Sequence, residues 1–231
     1  ATHPVACRLE RDSAPLAAAS IGQAHRAQLP DGTEVVVKVQ HADIEQIARI
    51  DLEVVRRITG EPLPQFVGRE LLAPAGLGEI SFCAASDEAP RLARTYWVGK
   101  RPCFVGEADV SEQLEKTYND PAVLAAPIPG AHMVCTAAQL AGFFDLLVSG
   151  GCTEDGRRLL QAETIRTYTR RAAWGLDRSN RIPMAVGRGF ILPLPGPSIY
   201  GTWRTGGCFG HAGAFCTLGF ADARTGLAGA F

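Results

Sequence analysis

The stretch that decides the fold is Phe209–Phe231, FGHAGAFCTLGFADARTGLAGAF. Short apolar runs alternate in it with turn residues, and Asp222 to Gly226 is predicted to make the last turn. A further apolar run, VGRGFILPL, begins at Val186. Together these runs predict an antiparallel meander of strands. The residues before them are typical of helices, so helices and strands are segregated along the chain and the fold class is α+β.

Helices are predicted ahead of this meander. Thr136 and Gln139 form a capping-box pattern, which opens a helix that ends at Gly150-Gly151. The apolar positions of this helix that should face inward are Leu140, Phe143, Phe144 and Leu147. Further helices are predicted at residues 65–72 and 162–170.

The first quarter of the chain has a different pattern. Asp31-Gly32 is a turn pair, and the valine-rich run Glu34–Gln40 follows it, so this part predicts a β-hairpin. A helix should come next, because apolar residues recur there at helical spacing, at Ile44, Ile47, Val54 and Ile58.

Composition narrows the class of protein. The 231 residues are 46% hydrophobic and 20% charged, with a net charge of -1, which is ordinary for a globular protein. No basic block is present, so nucleic acid is not expected as a partner. Residues 121–144 carry no charged side chain, but prolines and a glycine interrupt them, so no membrane segment is predicted.

The 7 cysteines are odd in number, and no two have the C-x-x-C spacing. This pattern matches neither a disulfide framework nor a zinc site, so no metal is expected. Unpaired thiols favour an intracellular, reducing compartment.

The part of the chain from about residue 59 onward resembles serine β-lactamase-like hydrolases, nearest the class C enzymes and related esterases. The resemblance rests on TGEPLPQFVGRELLAPAGL, on HMVCTAAQLAGFFDLLVSGG followed by RRLLQAETI, and on the stretch quoted above. In that family a serine in S-x-x-K attacks a carbonyl, and the lysine and a Y-x-N tyrosine move the proton. The resemblance implies that His211 and Gly213 belong to the family's third motif, H-x-G, and that the Ala214 N–H stands on the oxyanion side.

The other two motifs of that family are absent. No lysine of the chain has a serine three residues before it, and no tyrosine has an asparagine two residues after it. Tyr118-Asn119 is a near miss in spacing. Because the nucleophile precedes the tyrosine motif in this family, the half of the domain that carries it is predicted to be missing. Phe143, Phe144 and Leu147 are therefore expected to be only partly covered.

The segment 15–58 resembles the start of the UbiB-type (aarF-like) atypical kinase domain. The matching text is LAAASIGQAHRA, then DGTEVVVKVQ, then IEQIARIDLEVVRR. The resemblance implies an alanine-rich nucleotide loop, made by Ala17, Ala18, Ala19 and Ser20, and a phosphate-contacting lysine, Lys38. No catalytic-loop aspartate and no metal-binding aspartate can be assigned, so no cofactor is expected and ATP is at most a weak ligand.

These observations predict three parts: an irregular segment 1–14, a kinase-like hairpin and helix at 15–58, and a partial β-lactamase-like antiparallel sheet flanked by helices at 59–231. The chain is interpreted as a fragmentary or degenerate fusion that is not catalytically competent by itself, and parts of a longer parent chain are its expected partners. Family resemblance adds the plastid and the mitochondrion as candidate compartments. Two alternatives stay open: a hydrolase with another nucleophile, such as Ser20 or Cys208 near His211, and a pseudo-enzyme that binds a nucleotide or a peptide.

Overall fold

The structure is a computed structural model. It describes residues 8–9, 17–18, 22–28, 30–40, 53–84, 92–96, 111–126, 133–177, 182–196, 198–201, 205–213 and 217–231. These residues include a four-stranded and a six-stranded antiparallel sheet together with helices. The α+β class predicted from the sequence is therefore confirmed.

The smaller sheet contains the predicted hairpin. Its strands are β1 (Arg8–Leu9), β2 (Ala17–Ala18), β3 (Gly22–Gln28) and β4 (Glu34–Gln40). β4 pairs with β3 along its whole length, whereas β1 and β2 pair with opposite ends of β3. The turn is held by Asp31, whose carboxylate accepts a hydrogen bond from the Thr33 N–H at 2.9 Å. Gly32 follows with φ +88°, a conformation that favours glycine.

Four helical segments come next in the chain. Residues 53–59 are helical (α1), and α2 (Leu63–Val67) continues into a π-helical turn, Gly68–Leu72. The helix predicted at residues 65–72 is therefore present, but its second half is widened. Two short helices follow, α3 (Ser111–Tyr118) and α4 (Pro121–Leu124).

α5 (Ala137–Val148) is the central helix, and its predicted capping box is confirmed. The Gln139 N–H donates to the Thr136 hydroxyl at 3.2 Å, and the Thr136 N–H donates to the Gln139 side-chain oxygen at 2.7 Å. The expectation that its apolar residues are only partly covered is wrong for two of them. Phe144 and Leu147 are buried because they pack on the larger sheet, in one cluster with Phe209 and Ala221.

The larger sheet is a meander in which each strand pairs with the next one in the chain. α6 (Ala162–Thr169) precedes it. Its strands are β5 (Ala173–Asp177), β6 (Ile182–Val186), β7 (Ile191–Leu192), β8 (Cys208–Ala212), β9 (Leu218–Asp222) and β10 (Leu227–Ala230). The turn predicted at Asp222 to Gly226 is confirmed, because the Gly226 N–H donates to the Asp222 carbonyl at 2.9 Å.

The sheet begins earlier than the sequence pattern indicated. Strands were expected from Val186 onward, but β5 and β6 already pair from Ala173. The sequence pattern does not predict these two strands because they contain Gly175 and Pro183, and glycine and proline are depleted in strands. Pro183 is tolerated because only Ala185 and Val186 of β6 pair with β7, so the missing N–H of the proline breaks no bond to that neighbour.

Candidate functional site

β8 carries the residues that the sequence associates with the third hydrolase motif. Side chains alternate between the two faces of a strand, so Phe209 and His211 share one face, and Cys208 and Gly210 share the other. Phe209 is buried against α5, and this face is called the helix face below. His211 lies opposite Gly219 of β9 and is exposed. The strand thus presents an imidazole next to the helix-covered core.

Gly213 follows directly after β8 and has a structural task. Its N–H donates to the Thr217 carbonyl at 2.7 Å. A Cβ at this position would collide with the Thr217 hydroxyl, so only glycine fits there without a shift. Since this N–H is already paired, it is not a free oxyanion donor. Ala214, which the resemblance assigns to that side, lies outside the described residues.

Cys208 was one candidate for a substitute nucleophile beside His211, and its position argues against that pairing. The two residues are three apart on one strand, so their side chains leave opposite faces. Burial raises the pKa of the Cys208 thiol, and the nearby Asp222 carboxylate adds to this. A buried neutral thiol on the other side of the sheet cannot pass its proton to His211. Ser20, the other candidate, lies outside the described residues.

Tyr200 and Asn119 are held in structural hydrogen bonds. The Tyr200 hydroxyl donates to the Ile191 carbonyl at 2.6 Å, and burial strongly raises its pKa, so it is not a ready base. Asn119 uses its side-chain amide to bind both backbone groups of Thr95, at 2.9 and 2.7 Å. Neither side chain is therefore free to bind a substrate as arranged.

The kinase-like residues are brought into register by the smaller sheet. Ala17 of β2 lies opposite Ala24 of β3, and Lys38 of β4 lies opposite the same Ala24. The alanine-rich segment and the lysine therefore occupy one row across three strands, with about 10 Å between the outer two backbones. Ala18 follows in β2, whereas Ala19 and Ser20 lie outside the described residues.

The described residues also line cavities that the sequence patterns did not indicate. An acidic groove of about 480 Å³ lies between the turn after α2 and the C-terminal end of α5, and Asp145, Cys152, Glu154 and Asp155 contribute to its lining. An apolar cavity of about 170 Å³ lies between α5 and α6. Their lining residues are too far apart in the chain for a local spacing to reveal them.

Two further features concern metal binding and membrane insertion in the parts of the chain that the structure describes. Those parts contain no cluster of three His, Cys, Asp or Glu residues that could hold a metal ion. No helix in them is both long and apolar enough to cross a bilayer.

Two family models match the chain. One, described as Beta-lactamase, matches residues 52–231, and the other, described as ABC1 atypical kinase-like domain, matches residues 8–65. Both resemblances inferred from the sequence are thus confirmed.

Two curated relatives match different parts of the chain. Protein Rv1367c of Mycobacterium tuberculosis (strain ATCC 25618 / H37Rv) is 29% identical over 175 residues, which are 68% of this chain and 41% of that protein. Atypical kinase COQ8, mitochondrial, of Saccharomyces cerevisiae is 51% identical over 41 residues, which are 18% of this chain and 8% of that protein.

Solved structures superpose on most of this chain. A novel penicillin-binding protein homologue from Caulobacter crescentus superposes with a TM-score of 0.61 at 25% identity, covering 78% of this chain and 48% of its own. A family VIII carboxylesterase superposes with a TM-score of 0.60 at 27% identity, over 78% of this chain and 48% of its own. The chain thus spans about half the length of these structures.

Proposed function

We propose that this chain, which belongs to the beta-lactamase family, is a degenerate fusion that does not catalyse acyl transfer by itself. An ABC1-like segment forms its first part. The third-motif strand, β8, is its remaining part of the hydrolase pocket. In this proposal the chain retains two elements of the family's site, the pocket strand and its histidine, and lacks the nucleophile and the base.

The observation that carries the proposal is the surroundings of His211. In the described part of the chain, the nearest candidate thiol in sequence, Cys208, leaves the opposite face of the strand, and the half-buried Tyr200 hydroxyl donates to a backbone carbonyl. The sequence supplies no S-x-x-K and no Y-x-N motif. An acyl-enzyme mechanism without nucleophile and base keeps only the contributions of oxyanion stabilisation and binding.

The test is a pair of activity assays on the purified full chain. Hydrolysis of nitrocefin and of p-nitrophenyl esters should not exceed that of a heat-treated control, and a fluorophosphonate probe should leave the chain unlabelled. Turnover or labelling that disappears in Ser20→Ala or Cys208→Ala would overturn the proposal.

Ester hydrolysis by a different serine is the second candidate function. The likeness to a family VIII carboxylesterase at 27% identity favours it, because that protein is named as a carboxylesterase. In this case the Ser20 hydroxyl would be the nucleophile, and His211 would accept its proton. Stoichiometric fluorophosphonate labelling of Ser20, located by mass spectrometry, would favour this function over the first.

A third candidate is nucleotide binding by the ABC1-like segment. The row that contains Ala17, Ala24 and Lys38 supports it, because small residues let backbone N–H groups approach phosphate oxygens. Without assignable metal carboxylates, ATP binding would be weak and independent of Mg²⁺. A thermal-shift titration with ADP and with ATP tests this. The absence of a shift with either nucleotide would contradict nucleotide binding, whereas a large Mg²⁺-dependent stabilisation that Lys38→Ala removes would contradict only the expectation of weak, metal-independent binding.

A further inference from the structure

The hairpin of β5 and β6 carries an apolar surface that the described helices leave exposed. Trp174 and Leu176 are two residues apart on β5, so their side chains leave the same face of the strand. They are 71% and 64% exposed. Ala185 lies directly opposite Trp174 on β6 and is only 2% exposed. The sheet therefore changes from buried to exposed between these two strands.

Two further apolar residues of β6 extend this surface. Pro183 lies opposite Leu176 and is exposed. Ile182 is the next residue, so its side chain leaves the other face, and it is 50% exposed. These four residues are called the hairpin patch below. Contiguous exposed apolar residues mark an interaction site more often than an idle surface.

The surroundings of the hairpin patch are basic. The segment 170–188 holds five arginines against one aspartate, in a chain whose net charge is -1. Three of these arginines belong to the described residues, lie at the base of the hairpin and are exposed: Arg170, Arg171 and Arg188.

The neighbouring contacts keep this positive charge in place. The Arg188 guanidinium donates to the Thr167 carbonyl at 2.9 Å, which holds that cation beside α6. Glu163, an acidic residue of α6, pairs with Arg166 of the same helix at 2.6 Å. The hairpin patch is therefore an apolar surface beside a net positive charge.

This combination fits the surface of an anionic lipid layer. An indole ring such as that of Trp174 is favourable at the level of the lipid headgroups, where one end of the ring is apolar and the other is wet. The side chains of Leu176 and Ile182 add apolar area that binding would bury, and arginines are attracted to anionic lipids.

Two other kinds of partner fit less well. A cover made by the interior of a protein would bring the bordering arginines close to a core, where ionised side chains are rarely buried unless they are paired. Single-stranded nucleic acid stacks its bases on aromatic rings, and the aliphatic Leu176, Ile182 and Pro183 offer no such ring.

We propose that the hairpin patch is a peripheral docking surface for an anionic lipid layer. The side chains of Trp174, Leu176 and Ile182 enter the headgroup region, and the exposed arginines bind the anionic headgroups. The contact is interfacial and needs no spanning segment. This inference goes beyond the proposed function, because it requires neither a nucleophile nor a base.

The test is co-sedimentation of the purified full chain with phosphatidylcholine vesicles and with vesicles that also contain about 30% phosphatidylserine. We expect the chain to bind the anionic vesicles and to bind the neutral ones at least tenfold more weakly. Raising the salt concentration from about 0.05 M to about 0.5 M should release it, because salt screens charges at the surface. The vesicles should also shift the indole emission to shorter wavelength, and Trp174→Phe should remove this shift.

The apolar contribution has a matched pair of double variants. Trp174→Ser with Leu176→Ser should lower the vesicle partition coefficient at least tenfold, because it removes the apolar area that binding buries. Leu227→Ser with Phe231→Ser makes a similar change at residues that are 58% and 68% exposed outside the hairpin, and it should leave binding unchanged.

The basic contribution has a matched pair as well. Arg170→Gln with Arg171→Gln should lower the partition coefficient about 25-fold, because each basic residue near an anionic surface strengthens binding about fivefold. Arg56→Gln with Arg57→Gln removes two adjacent exposed arginines of α1 and should change binding little. A circular-dichroism melt of each variant checks that it is folded.

Several results would overturn the proposal. They are an absence of vesicle binding, equal binding to neutral and anionic vesicles, and equal losses in the hairpin variants and their controls. Binding of a single-stranded RNA without vesicle binding would assign the patch to nucleic acid instead. A dimer that Trp174→Ser with Leu176→Ser dissociates, again without vesicle binding, would assign the patch to a second copy of the chain.

Discussion

At the scale of the residue, Gly219 lies where α5 packs closely on the larger sheet. A Cβ there would collide with the Phe144 ring, which is part of the core. We expect Gly219→Ala to lower the free energy of unfolding by about 1–3 kcal/mol, as overpacked cores do. Gly175→Ala is the control, because a Cβ at that strand position meets nothing within 4 Å. Urea midpoints that fall equally for both variants would contradict the prediction.

The raised pKa values of Tyr200 and Cys208 predict how the free energy of unfolding changes with pH in the alkaline range. Burial raises both pKa values, so as the pH rises the unfolded chain loses these protons before the folded one does. The free energy of unfolding should therefore be highest below the ordinary thiol pKa of 9.0 and fall above it.

Tyr200→Phe tests this dependence. It should flatten the alkaline decline while costing about 1 kcal/mol at neutral pH for the lost bond to the Ile191 carbonyl. Tyr96→Phe removes the same hydroxyl from a side chain that is 64% exposed and is the control. Urea midpoints measured on either side of pH 10.0, the ordinary tyrosine pKa, decide the outcome, and a decline above that pH that Tyr200→Phe leaves unchanged would count against the prediction.

At the scale of the element, α5 depends on its capping box. Thr136→Ala removes the hydroxyl that accepts from the Gln139 N–H, and we expect a loss of about 1 kcal/mol. Thr164→Ala makes the same chemical change inside α6, where alanine is a better helix former, and should be neutral or slightly stabilising. Thermal melts of the two variants test this, and equal midpoints would argue that the cap contributes nothing.

At the scale of the whole molecule, exposed apolar side chains set the solution behaviour. Ile58 is 79%, Trp174 71% and Leu176 64% exposed. Apolar patches larger than about 300–600 Å² are unusual on a soluble monomer. We expect the purified chain to bind ANS and to aggregate on mild heating. Replacing Trp174 and Leu176 together by serine should reduce both effects, and a sharp, reversible melt of the unchanged chain without dye binding would refute the prediction.

The sequence by itself determined the elements that depend on neighbouring residues. The capping box at Thr136, the hairpin turn at Asp31-Gly32 and the turn that ends at Gly226 each need only residues close in the chain, so their spacing was sufficient. The two family resemblances were also readable, because their motifs are contiguous. The assignment of His211, Gly213 and Lys38 to functional sites stays a prediction.

Only the tertiary structure decided features that depend on pairing between distant segments. β5 and β6 form despite Gly175 and Pro183, because neighbouring strands supply hydrogen bonds that local propensity does not register. The register of β3 aligns Ala17 with Lys38, and the limits of β8 place Cys208 and His211 on opposite faces. Strand limits and register follow from long-range packing, so no local pattern could place these residues relative to one another.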